Sequence, residues 1–164
     1  MNTHQPTTLD DQPMPVRAKL AAAWTSFMFL YAYVDILNFF TPGVIEDILD
    51  GKVFEFDLSQ TFSTAALTLV AVPIFMVVLS MTLPAQVSRT ANLVVAALYV
   101  PVTVFNVAGG FYFFFYGLGV ALELILLALI VRYAWTWPRT APSTTVAAVT
   151  AGPDRGNVHA PQHA

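Results

Sequence analysis

Four apolar stretches, running roughly from Leu20 to Phe40, Gln60 to Leu83, Ala91 to Gly110 and Phe111 to Trp135, constrain this chain more than any other feature. Each is close to the ~20 residues that a helix needs to cross ~30 Å of hydrocarbon. Inside a bilayer the backbone must satisfy its own hydrogen bonds, and stretches of this length do so as helices. The expected fold is therefore all-α: a polytopic membrane protein built as a four-helix bundle, with a short outer loop between helices 1 and 2. Residues 16–138 form the membrane domain with spans at about 20–40, 60–83, 91–110 and 111–135. Residues 1–15 and 139–164, rich in Pro, Thr, Ala, Gln and Gly, are expected to be disordered cytoplasmic tails.

Composition agrees and excludes several functions. Of the 164 residues, 57% are hydrophobic and 10% charged, whereas soluble domains carry about 25% charged residues. The net charge of −3 and the scattered basic residues give no footprint for nucleic acid. With no cysteine there are no disulfides, thiolate metal sites or cysteine nucleophiles. His4, His159 and His163 all lie in the tails, so neither a metal nor another cofactor is expected in the bundle. Arg17 and Lys19 precede the first apolar run as in a secretory signal, but that run exceeds the usual 7–15 residues and contains Asp35, and it reads as a retained anchor.

Arg17, Lys19, Arg89, Arg132 and Arg139 fall on one side of the four spans, and Lys52 on the other. The positive-inside tendency then places both termini in the cytoplasm, the multi-pass chain in a plasma (inner) membrane, and residues 41–59 outside. That outer segment holds Glu46, Asp47, Asp50, Glu55 and Asp57. Thr41 is expected to cap a short helix with Pro42 in its first turn and Val44, Ile45, Ile48 and Leu49 on its apolar side, ending at Gly51. Residues 53–58 alternate as an extended lid over the bundle mouth, and Ser59 offers a cap for span two. The Phe/Tyr run 111–116, and Tyr133, Trp135 and Trp137, mark the two membrane interfaces. Pro73 and Pro101 each free a backbone carbonyl inside a span.

At 100° per residue the polar residues of each span share a face. Trp24, Tyr31, Asp35 and Asn38 align in span one, and Asn92, Tyr99, Thr103 and Asn106 repeat their spacing in span three. Tyr112, Tyr116, Gly119 and Glu123 align in span four, and Thr61, Thr64 and Thr68 in span two. Burying these faces together shelters them from lipid.

The two intramembrane carboxylates matter most, since an acid at mid-membrane costs about 2.5 to 3.5 kcal/mol even on the lenient insertion scale. Asp35 lies roughly 6–8 Å below the outer boundary and Glu123 roughly 18 Å. Arg132, about 13 Å from Glu123 on the opposite side of the helix, cannot neutralise it and reads as a snorkelling residue. Glu123 is expected as a protonated acid hydrogen-bonded to a Tyr or an Asn. Asp35 with Asn38 reads equally as part of a site or as the cap of span one. Gly117 and Gly119 permit close helix contact, and Ser80, away from the threonine face and without a His or Lys, is no nucleophile.

The Tyr31, Tyr33, Asp35 run followed by Pro42-Gly43 resembles a family of uncharacterised bacterial four-helix integral membrane proteins, a domain of unknown function. Pro73, Met76, Leu79, Ser80 and Leu83, Arg89 with Asn92, and the closing Tyr133-Ala134-Trp135-Thr136-Trp137-Pro138 carry the same resemblance. It implies the four-span fold and no activity. The function expected from the residues is a polar, outward-facing cavity that binds a small ligand, cation or proton through Glu123, with Asp35, Asn38, Tyr99, Asn106 and Tyr116 around it. The chain is not expected to be an enzyme. Its expected partners are the lipid bilayer and either a second copy in a homodimer, the natural unit for a transport role, or another membrane partner. The rival is a structural or accessory membrane subunit whose polar stripes only hold helices together.

Overall fold

The computed structural model describes residues 13–53, 56–105 and 113–138; both tails and Asn106 lie outside them. It is an all-α protein: α1 (Val16–Asn38), α2 (Val44–Leu49), α3 (Gln60–Thr82), α4 (Ala85–Phe105) and α5 (Phe113–Trp135), with a small hairpin of β1 (Lys52–Val53) and β2 (Phe56–Asp57) between α2 and α3. Val16–Asn38, Gln60–Thr82, Ala85–Phe105 and Phe114–Trp135 are long and apolar enough to cross a membrane, which is compatible with a multi-pass membrane protein.

Local chemistry sets the helix ends. Pro15, extended at φ −62° and ψ 144°, precedes α1, which starts four residues before Leu20 and carries Arg17 and Lys19 into its first turn. The Ser59 hydroxyl accepts from the Phe62 N–H at 3.1 Å and caps α3. Leu83 is extended (ψ 153°) because Pro84 follows it, so α3 stops at Thr82. The Ser88 N–H then donates to Pro84 O at 2.8 Å, and α4 is under way from Ala85. Span three therefore begins six residues before Ala91, and Arg89 is a helical residue rather than part of a link. The polar run Gln86, Ser88, Arg89 and Thr90 lowers the hydropathy of this turn without breaking the helix.

The outer loop differs from expectation in three ways. The residue before α2 is Gly43 in the left-handed region (φ 91°), not Thr41, whose carbonyl instead accepts from the Val44 N–H in a turn. A side chain at Gly43 would be strained by that φ alone. The extended segment is an antiparallel hairpin, pairing Lys52 with Asp57 and Val53 with Phe56, because Gly51 (φ 80°) turns the chain and its carbonyl accepts from the Leu58 N–H at 2.7 Å. Nor is this segment buried as a lid among the described residues: Phe56 and Leu58 remain 49% and 43% exposed, and Phe56 reaches α3 by stacking on Phe62 with ring centroids 6.0 Å apart.

The spanning helices stand in the order α3, α1, α5, α4 around the bundle. α1 packs on both α3 and α5, and α5 packs on α4, whereas α3 and α4 meet far less although two residues join them. Where they diverge, a cleft of about 770 Å³ opens, lined by Gln60, Thr61, Thr64, Thr68, Leu69 and Tyr99 among others. The expectation that every polar stripe is buried fails here. Thr64 and Thr68 donate to the carbonyls four residues back, Gln60 O and Thr64 O, each at 2.8 Å, and remain exposed. A threonine satisfied on its own helix needs no partner from a neighbour.

One end of the bundle gathers the described basic residues other than Lys52. Arg17 donates to Met81 O at 2.7 Å and lies over the Trp137 ring; Arg89 donates to Ala134 O at 3.2 Å and lies over Trp135; Lys19 lies over Tyr133. Both arginines thus satisfy carbonyls in the last turns of α3 and α5, where the helix dipole favours a cation. The described acidic residues all lie elsewhere, Asp35 and Glu123 within the spans and the rest in the loop between α1 and α3.

Candidate functional site

Two polar clusters occupy the interior, and their states differ. Near the basic end, Asn92 Oδ1 accepts from Trp24 Nε1 at 2.7 Å and from Ser80 Oγ at 3.1 Å. Asn92 Nδ2 donates to Ser88 O at 2.8 Å, and Ser88 Oγ donates to Ser80 O at 3.3 Å. All four side chains are fully buried, so α1, α3 and α4 are tied together through one amide whose oxygen and nitrogen are both used. Ser80, which lies away from the threonine face, is one of its members.

Next comes a dry layer. Phe27, Ala96, Leu127 and Ile130 are all buried. Trp24 and Phe27 each meet the Tyr99 ring edge-on, at 6.2 and 5.9 Å. On α4 the inward face reads Asn92, Ala96, Tyr99, Thr103, and on α5 Ile130, Leu127, Glu123, so the next polar level holds Thr103 and Glu123.

Glu123 is 2% exposed and Thr103 fully buried. The Thr103 hydroxyl lies within interacting range of the carboxyl, but no hydrogen bond of proper geometry joins them. Thr103 Oγ1 and Glu123 Oε2 are both buried without a partner among the described residues. The expected Tyr or Asn partner for Glu123 is thus not seen among the described residues. The tyrosines named for the site are committed elsewhere: the Tyr116 hydroxyl donates to Asn38 Oδ1, joining α5 to α1, and the Tyr99 hydroxyl donates to Leu69 O.

The Tyr99 bond has a specific cause. Leu69 O would ordinarily accept from the residue four positions on, which is Pro73 and has no N–H. Tyr99 supplies the missing donor, so it belongs to the scaffold as well as to the cleft wall. Tyr99→Phe is expected to cost about 1 kcal/mol, read as a lowered unfolding midpoint in mixed micelles, with little change in helix content.

Asp35 is exposed on α1, yet near enough to Tyr116 and Glu123 for its charge to act on both. Between α1 and α5 the Val34 side chain packs over Gly119: a Cβ built on Gly119 would stand 3.1 Å from Val34 Cγ2. That contact lies one turn from Glu123 along α5. Asp35, Asn38, Tyr116 and Glu123 therefore share the α1–α5 seam, and Tyr99 lies toward α3. Thr103, which the sequence reading left out of the site, faces the carboxyl; its place in the 92, 99, 103 stripe was the available signal. Among the described residues no group of three His, Cys, Asp or Glu side chains could hold a metal.

Residues 15–144 match the family of unknown function DUF6326, a stretch that includes every helix described above. The chain belongs to this family. The resemblance in the Tyr31–Asp35, Arg89–Asn92 and Tyr133–Pro138 segments pointed to such a family. Several of the residues that carried it have structural parts in this DUF6326 member: Ser80 and Asn92 form the buried knot, Arg89 closes the end of α5, and Pro73 frees the carbonyl that Tyr99 occupies. No curated protein and no solved structure matches the chain.

Proposed function

We propose that this chain is an inner-membrane protein with its basic end in the cytoplasm, in which Glu123 takes up and releases a proton from the side of the acidic loop. The observation that carries the reading is the contrast between the two interior clusters. The Asn92 amide has its polar groups partnered, as a purely structural cluster requires, whereas Glu123 Oε2 and Thr103 Oγ1 face one another buried and without a properly formed hydrogen bond among the described residues. Buried polar atoms in that condition mark a group whose partner arrives from outside the scaffold.

A proton suits the site better than a metal cation. Hard cations collect six or more oxygens at short range, and this level offers the Glu123 carboxyl and the Thr103 hydroxyl, with Asp35 further along the seam. One carboxyl is enough for a proton. The buried layer of Phe27, Ala96, Leu127 and Ile130 separates Glu123 from the basic end, which favours access from the side where Asp35 lies. Transport would require a second helix arrangement that opens that layer, and a homodimer would provide the surface for it.

Infrared spectra recorded through a pH titration of the purified protein test this directly. A carboxyl C=O band that titrates in the wild type and vanishes in Glu123→Gln, with unchanged helix content, is the expected result. A titration identical in the two proteins defeats the proposal.

A structural role is the second reading, favoured by the Tyr116–Asn38 bond and the Gly119–Val34 contact beside Glu123. In that case Glu123→Gln changes unfolding and leaves the pH response of the spectrum untouched.

A further inference from the structure

On the surface between α4 and α5 a second groove, of about 430 Å³, runs from Val100 and Leu124 past Ala128 and Val131 to Arg132 and Trp135. Its walls are aliphatic for most of its length, and its mouth at the basic end carries a guanidinium and an indole. From Leu124 to Thr136 the groove follows α5 for roughly 18 Å, which is about half of the ~30 Å hydrocarbon thickness. We propose that this groove binds one anionic phospholipid, an acyl chain lying along Val100, Leu124, Ala128 and Val131 and the headgroup phosphate on Arg132.

Three observations select that occupant. Arg17, Lys19 and Arg89 are each engaged with an aromatic ring, and the two arginines also with a helix carbonyl. Arg132 is exposed and its guanidinium has no partner among the described residues. The described basic end holds no acidic residue, so nothing there neutralises it. A planar guanidinium free at the interface is matched by the paired oxygens of a phosphate. Arg132, nine residues on from Glu123, lies on the opposite side of α5 and about 13 Å along it, so the headgroup contact does not depend on the protonation of Glu123.

Native mass spectrometry of the detergent-solubilised protein, with phosphatidylglycerol and phosphatidylcholine of identical acyl chains, tests the assignment. Phosphatidylglycerol is expected to bind about five- to tenfold more tightly, the scale of one basic residue acting on an anionic headgroup. Arg132→Gln brings the ratio close to one, and Lys19→Gln leaves it unchanged. Ala128→Trp, which fills the groove, weakens both lipids. Circular dichroism and monodisperse elution establish that each variant is folded. Equal binding of the two lipids by the wild type, a preference surviving Arg132→Gln, an equal loss in Lys19→Gln, or lipid binding indifferent to Ala128→Trp each overturns it.

Discussion

Asn92→Leu is expected to lower the stability of the bundle by about 2–4 kcal/mol, the sum of three side-chain hydrogen bonds at the scale found between membrane helices and in buried sites. Leucine nearly preserves the volume, so the loss comes from the polar groups that remain. The Trp24 N–H and the Ser80 hydroxyl lose their shared acceptor, and the Ser88 carbonyl loses a donor. Ser80 can turn to a carbonyl of its own helix, as Thr64 and Thr68 do. The indole of Trp24, fully buried, has no such recourse. Trp24→Phe added to Asn92→Leu should therefore restore about half of the loss, because removing both partners of a buried bond costs less than removing one. Equilibrium unfolding in mixed micelles measures both variants. A double variant no better than Asn92→Leu alone would show that the indole was not the stranded group.

Gly119→Leu is the other large effect, expected to cost about 1–3 kcal/mol by overpacking the α1–α5 seam. The first added carbon already stands 3.1 Å from Val34 Cγ2. Val34 is branched at Cβ and held to few rotamers on a helix, so it yields little. The remaining carbons of leucine have to go into the same contact. Trimming the obstacle, in Gly119→Leu with Val34→Ala, should recover most of the loss. The coupling energy from a double-mutant cycle is the quantity to measure. Gly117, by contrast, has open space around its Cβ position, and Gly117→Ala is expected to be neutral or slightly stabilising through helix propensity.

How far the sequence could be read depended on whether a property belonged to one helix or to two. Hydropathy over twenty residues belongs to one, and four spans were visible in it. The start of α4 was not, because Gln86, Ser88, Arg89 and Thr90 look like a link until Ser88 and Arg89 are seen to bond Ser80 and Ala134 on neighbouring helices. Glu123 was conspicuous as an acid in an apolar run, and its burial follows from the cost of facing it to lipid. Its neighbour was not, since a 100° wheel orders the residues of a helix but does not say which helices adjoin. The same gap hid the match between Tyr99 and Pro73: each was noted separately, and the carbonyl that links them lies on Leu69.

The unequal attachment of α3 has a mechanical consequence. Its last turns are clamped through Arg17 on Met81 and Ser80 on Asn92, and its middle is pinned where Tyr99 meets Leu69. Beyond that pin the first nine residues of α3 run beside the open cleft, with the hairpin fastened near their start through Phe56 and Phe62. A pull on the hairpin is thus expected to act first on the part of α3 that borders the threonine-lined gap, and least on the half held by Arg17 and Asn92.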